Sequence, residues 1–214
     1  MNIVSQLKEI RQALPEKVKL LAVSKFHPLE KIQEAYNADQ RIFGESRAQE
    51  LKLKAPALPK DIEWHFIGPL QRNKVKDIVP FVHTIQSVDS LKLLQEIDKQ
   101  ATKYNRIVNV LLEVHIAEES QKHGFSSDEV KSFFENGLLN RYPHIQVTGL
   151  MGIATQTQDI TLLHKEFKAL HNLFKTIGSL HTLSMGMSGD YPIAIEEGST
   201  MVRIGTAIFG PREY

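Results

Sequence analysis

A chain of 214 residues, 42% hydrophobic and 24% charged, suits one globular domain and excludes a disordered or fibrous protein. Its 26 Lys and Arg against 25 Asp and Glu leave a formal charge of +1, too little field to gather nucleic acid or an anionic membrane. Cysteine is absent, which removes disulfides, thiolate metal sites and cysteine nucleophiles.

The start, Met1-Asn2-Ile3-Val4-Ser5, has neither the basic nor the long apolar region of a signal peptide. No apolar run approaches the ~18 residues of a membrane span, so a cytoplasmic chain is expected. Ile3, Leu7, Ile10 and Leu14 recur at helical spacing and predict an opening helix. Residues 19–24 read as a strand, 28–36 as a helix with Pro28 near its first turn, and 41–43 as a short strand. Ser46-Arg47-Ala48-Gln49 has the form of a capping box opening a helix to about residue 54. A strand over 63–67 turns through Gly68-Pro69 into a helix over 71–79. A strand over 81–87 leads to Asp89, the expected cap of a helix to about residue 103, followed by a long strand over 106–116. Gly124-Phe125-Ser126-Ser127 introduces a helix over 128–136, ended by Gly137. The rest reads as strand 145–151, helix 160–177, strand 181–185, a short helix within 192–197 and a last strand over 201–204.

About eight strands alternating with helices predict parallel pairing. The alternation runs unbroken, which favours a single closed (β/α)8 TIM barrel with an extra N-terminal helix over an open doubly wound sheet. No linker or repeat interrupts residues 1–214, so one domain is expected.

Active sites of such barrels sit at the C-terminal ends of the strands. Lys25 ends the apolar run 18–24, so a primary amine projects into that mouth; partial burial would favour the neutral, nucleophilic form. Barrels often hold phosphate in the loops after strands seven and eight, and there stand Gly186-Met187-Ser188-Gly189-Asp190 and Arg203-Ile204-Gly205-Thr206. Glycine lets a backbone approach a phosphate, and the Ser188 and Thr206 hydroxyls add donors. Arg203, on an otherwise apolar strand, needs an acceptor: Glu196 or Glu197 in a salt bridge, or the ring nitrogen of a cofactor. An amine, an anion cradle and a fixed cation together suit a phosphorylated aldehyde held as an imine, which describes pyridoxal 5′-phosphate (PLP). His65 reads as a satisfied core or rim histidine, and the nine histidines show no metal-binding spacing, so no metal is expected.

In this order, Leu20-Leu21-Ala22-Val23-Ser24-Lys25, Phe43-Gly44-Glu45, residues 64–71, Asn73-Lys74, Gly149-Leu150-Met151, residues 183–188 and residues 198–210 resemble the pyridoxal phosphate homeostasis protein family. The resemblance spans nearly the whole chain and implies the barrel of the alanine racemase N-terminal domain. It implies Lys25 as the imine-forming lysine, Ser188, Gly205 and Thr206 as phosphate contacts, Arg203 facing the pyridine nitrogen, and Ile67, Ser184 and Met185 close to the cofactor. Lys122 resembles a secondary or transfer lysine. Where the family reads Phe-Gly-Glu-Asn, this chain has Ser46, a shorter side chain that leaves a direct role there in doubt but suits a helix cap. The role implied is PLP binding, buffering and delivery to PLP-dependent apoenzymes, with no established catalytic turnover; a monomer is expected. The sequence ends at Tyr214, just after the last strand, so the β domain that supplies a racemase's second base is not expected. The rivals are a PLP-dependent racemase, lyase or transaminase acting on a small amino acid, and a cofactor-free aldolase.

Overall fold

In the computed structural model, which describes residues 2–117 and 123–211, each strand lies parallel to its neighbours. The elements run α1 (Ile3–Ala13), β1 (Lys19–Val23), α2 (Leu29–Asn37), β2 (Ile42–Glu45), α3 (Ala48–Ala57) and β3 (Glu63–Phe66). A 3-10 turn (Arg72–Lys74) leads into α4 (Val75–Ile78), then β4 (Thr84–Val88), α5 (Leu91–Lys103), β5 (Val108–Glu113) and α6 (Ser127–Glu135). After another 3-10 turn (Leu138–Arg141) come β6 (Ile145–Met151), α7 (Ile160–Ile177), β7 (Thr182–Met187), α8 (Tyr191–Glu196), β8 (Met201–Ile204) and α9 (Thr206–Phe209). The strands close in sequence order, β1 pairing with both β2 and β8, which is the expected TIM barrel with its leading helix. Lys122 lies outside the described residues.

Helix α7 shows how sequence sets these elements. Leu163, Phe167, Leu170 and Leu173 fall on one face and are buried. Each stabilises the fold by roughly 2 kcal/mol relative to exposure. The Asp159 carboxylate accepts from the Thr161 and Leu162 N–H groups, and Gly178, at φ 70°, ends the helix in the left-handed region.

Some predicted caps move. Ser90, not Asp89, caps α5, accepting from the Leu93 N–H, because the strand before it ends only at Val88. Arg47 stands at the N-cap of α3 without a side-chain bond, so Ser46 forms no capping box. On β3, Trp64 and Phe66 face outward into the helix layer, Trp64 packing 5.9 Å from the Phe43 ring, while His65 points the other way.

Candidate functional site

The barrel closes where the chain's beginning meets its end: Leu21 pairs with Arg203 and Ala22 with Ile204. The turns leaving β1 and β8 therefore sit side by side. Between them lies a cavity of about 280 Å³ whose wall includes Lys25, Ile67, Ser188, Arg203, Gly205 and Thr206. Of the expected site residues, Ser184 and Met185 do not line it. Met187 and Ile153 do, and were missed although they stand, like Ile67, at or just beyond the end of a strand. His27 also lines it; its burial follows from stacking 5.0 Å from the Phe209 ring of α9, which no local pattern signals.

The two glycine-bearing turns are rich in uncommitted donors. The backbone N–H groups of Ser188, Gly189, Gly205 and Thr206 donate to no protein acceptor among the described residues. Successive free N–H groups of this kind make an anion-binding concavity. Gly186, at φ 95°, permits the first turn: a Cβ there would come within 2.6 Å of the Ala194 Cβ.

Arg203 is only 4% exposed and has no carboxylate within ion-pair distance among the described residues. Its Nη1 donates to the Ser184 carbonyl and to Ser184 Oγ, both at 2.8 Å, and its Nη2 to the Gly152 carbonyl at 2.9 Å. Glu197 is instead 2.7 Å from His164 Nδ1, so the expected salt-bridge alternative does not form. Burial lowers the Arg203 pKa to about 10, with Asp190 and Glu113 opposing, so the group stays cationic at neutral pH.

Ser184 thus acts behind the cavity wall. Its hydroxyl donates to Gln86 Oε1 at 2.7 Å, and Gln86 Nε2 lies 2.8 Å from His65 Nδ1. Arginine can only donate, so the chain has one polarity: Arg203 to Ser184 to Gln86 to His65 Nδ1. That polarity places the proton of a neutral His65 on Nε2, a buried N–H with no partner. Burial, then the nearby His83 and Lys19, depress the His65 pKa to about 3, so the ring is neutral. Glu63, His65 and His83 are close enough to be considered as metal ligands, but an Nε2 that carries a proton is a donor, not a ligand.

A bulge explains the rest. Between β7 and β8, Ser184 pairs with Met201 and Met187 with Arg203, so β7 spends one extra residue. The extra residue swings Met187 to the cavity, while Met185 stays fully buried in the surrounding apolar core.

A second cavity of about 230 Å³ shares Ile67 and Ile153 with the first and holds Asp89, Glu113 and His115. Burial, with Asp89 adding repulsion, raises the Glu113 pKa.

Beneath the Lys25 turn is a buried ionic cluster. Glu45 Oε1 accepts from Ser24 Oγ at 2.7 Å and Lys54 Nζ at 2.9 Å, and Lys54 also reaches Glu50 Oε2 at 2.8 Å. One ammonium thus serves two carboxyl groups. Burial, opposed by Lys54, raises the Glu45 pKa to about 7 from 4.5. A raised folded-state pKa gives stability that is full below pH 4.5 and is lost as pH rises through about 7. Denaturant unfolding at pH 5 and pH 8 is therefore expected to show Glu45→Gln gaining up to about 3 kcal/mol on the wild type at the higher pH. An equal difference at both pH values would mean that Glu45 does not titrate in this window.

Comparison with known proteins follows the same lines. The sequence profile of the alanine racemase N-terminal domain matches residues 1–213. The chain is 41% identical to the pyridoxal phosphate homeostasis protein of Vibrio alginolyticus, over 100% of this chain and 96% of that one. It is 43% identical to that of Aquifex aeolicus, over 92% and 88% of the two chains. Among solved structures, PipY of Synechococcus elongatus without PLP superposes with a TM-score of 0.91 at 35% identity, covering 97% of this chain and 100% of that one. PipY with PLP bound gives 0.87 at the same identity and the same coverage. Alanine racemase of Clostridium difficile, 18% identical, shares the fold at 0.79 over 100% of this chain and 57% of its own.

Proposed function

Because the chain belongs to the pyridoxal phosphate homeostasis proteins, built on the alanine racemase N-terminal domain, we propose that it binds PLP between Lys25 and the turns of Ser188 and Thr206, buffers it inside the cell and releases it to apoenzymes. One observation carries the reading: a single cavity wall holds a primary amine, a fixed cation and two turns of free N–H donors. That donor set fits a phosphorylated aldehyde.

When bound, PLP supplies an aldehyde that combines reversibly with a primary amine. Lys25 offers that amine from a half-buried turn. Ser188 and Thr206 present hydroxyls, and with Gly189 and Gly205 present N–H groups, to the phosphate. Arg203, cationic at neutral pH, would hold the ring nitrogen and disfavour its protonation. Ile67, on the cavity wall, would pack at the ring; Ser184 holds Arg203 in place, and Met185 is buried in the core behind. An unprotonated ring nitrogen is a weak electron sink, which suits storage better than turnover.

The test is an absorbance spectrum of the wild-type protein with PLP, borohydride reduction and peptide mapping, alongside incubation with amino acids in heavy water. The label is expected on Lys25, with no deuterium entering the α-carbon. A label elsewhere refutes the site, and rapid deuterium uptake refutes the storage role in favour of a racemase or lyase.

A further inference from the structure

The Lys25 side chain can meet a ligand only if its backbone aims it, and that backbone is held from outside the cavity. Two peptide planes flank the Lys25 Cα. The carbonyl of the first, Ser24 O, accepts from Lys54 Nζ at 3.0 Å. The N–H of the second, Phe26 N, donates to Glu50 Oε2 at 2.8 Å. Fixing both planes fixes φ and ψ of Lys25, and hence the direction of its Cα–Cβ bond. The turn is not one the chain adopts cheaply: Phe26 sits at φ 67°, a left-handed conformation that costs a non-glycine residue about 1 kcal/mol or more. Arg47, at the start of α3, adds a guanidinium 4.3 Å from the Phe26 ring centre. Glu45 completes the arrangement by holding both the Ser24 hydroxyl and Lys54.

We infer that Glu50 and Lys54 of α3, backed by Glu45 of β2, are positioning residues that set the direction of Lys25. The inference rests on the reading of Lys25 as the amine that takes the aldehyde. None of the three lines the cavity, so each acts on the ligand only through the Lys25 turn. The chemistry of the cluster suits the task. Lys54 pairs with Glu50 at 2.8 Å and with Glu45 at 2.9 Å, so one ammonium ties the two carboxyl groups to the backbone of the turn.

The test measures how fast PLP attaches to Lys25, by stopped-flow absorbance. After borohydride, peptide mapping gives the share of pyridoxyl label on Lys25 against all other lysines. Glu50→Ala removes the acceptor of the Phe26 N–H; Glu50→Gln keeps an acceptor oxygen and drops the charge. Glu50→Ala is expected to attach PLP at Lys25 ~10-fold more slowly or worse, with label spreading to other lysines. Glu50→Gln is expected to restore most of the rate, a rescue that lost stability alone would not follow. A folded Glu50→Ala that labels Lys25 at the wild-type rate and share overturns the inference. Should Glu50→Ala not fold, the double variant Glu45→Gln/Lys54→Met, which removes the ammonium and one carboxyl together, takes its place under the same criteria. A wild type that leaves Lys25 unlabelled brings down the binding reading and this inference with it. A labelled wild type with equally fast variants overturns this inference alone.

Discussion

Lys25→Ala is expected to abolish the visible absorbance of the PLP-loaded protein and to weaken PLP binding by ~100-fold or more, a loss of about 3 kcal/mol. The amine is the only group expected to bond covalently to the ligand, while hydrogen bonds expected from Ser188, Gly189, Gly205 and Thr206, which line the same cavity, should survive the change. Residual binding should therefore be colourless, phosphate-dependent and competed by inorganic phosphate. The fold should hold. The bonds from Ser24 and the Phe26 N–H to Glu45, Lys54 and Glu50 do not use the Lys25 side chain, so alanine at position 25 leaves them in place. Thermal melting of the ligand-free variant should stay within about 0.5 kcal/mol of the wild type. Persistence of the absorbance would show that another amine takes the aldehyde.

Arg203→Gln should be costly in two separate ways. The shorter amide cannot reach Ser184 O, Ser184 Oγ and Gly152 O together, so at least one buried carbonyl loses its donor. Each unsatisfied group costs about 1–3 kcal/mol, and the melting temperature should fall accordingly. The second effect is on the ligand. Without a cation facing the ring nitrogen, that nitrogen is expected to take up a proton in the accessible pH range, and the spectrum of the loaded variant should change between pH 6 and 9 where the wild type's does not. A variant that melts with the wild type and shows a pH-invariant spectrum would contradict both the hydrogen bonding and the placement of Arg203.

The parts of this site that could be read from the sequence are those governed by strand ends. Lys25 follows an apolar strand, and the Ser188 and Thr206 turns follow strands seven and eight of an alternating pattern, so barrel geometry alone sends them to one rim. Illegible parts depend on distant packing. Lys54 lies in a polar helical stretch and reads as a solvated lysine; it is buried because α3 docks on a turn some 30 residues earlier in the chain. The sequence calls for an acceptor for Arg203, from Glu196 or Glu197 or from a cofactor's ring nitrogen, but does not show that carbonyls at Gly152 and Ser184 accept from it, where β6 has ended and beside the β7 bulge. The bulge itself cannot be seen in Ser184-Met185-Gly186-Met187, and it decides which of these side chains reaches the cavity.

Closure of the barrel through β1 and β8 has a consequence for biosynthesis. During translation Lys25 emerges some 180 residues before Arg203, Gly205 and Thr206. Pairing elements so far apart is slow, because a long loop must close before the contact is rewarded. A nascent fragment that stops before β8 would therefore carry the lysine without the groups proposed to retain a vitamin B6 aldehyde beside it, and capture would wait for that strand to join the barrel.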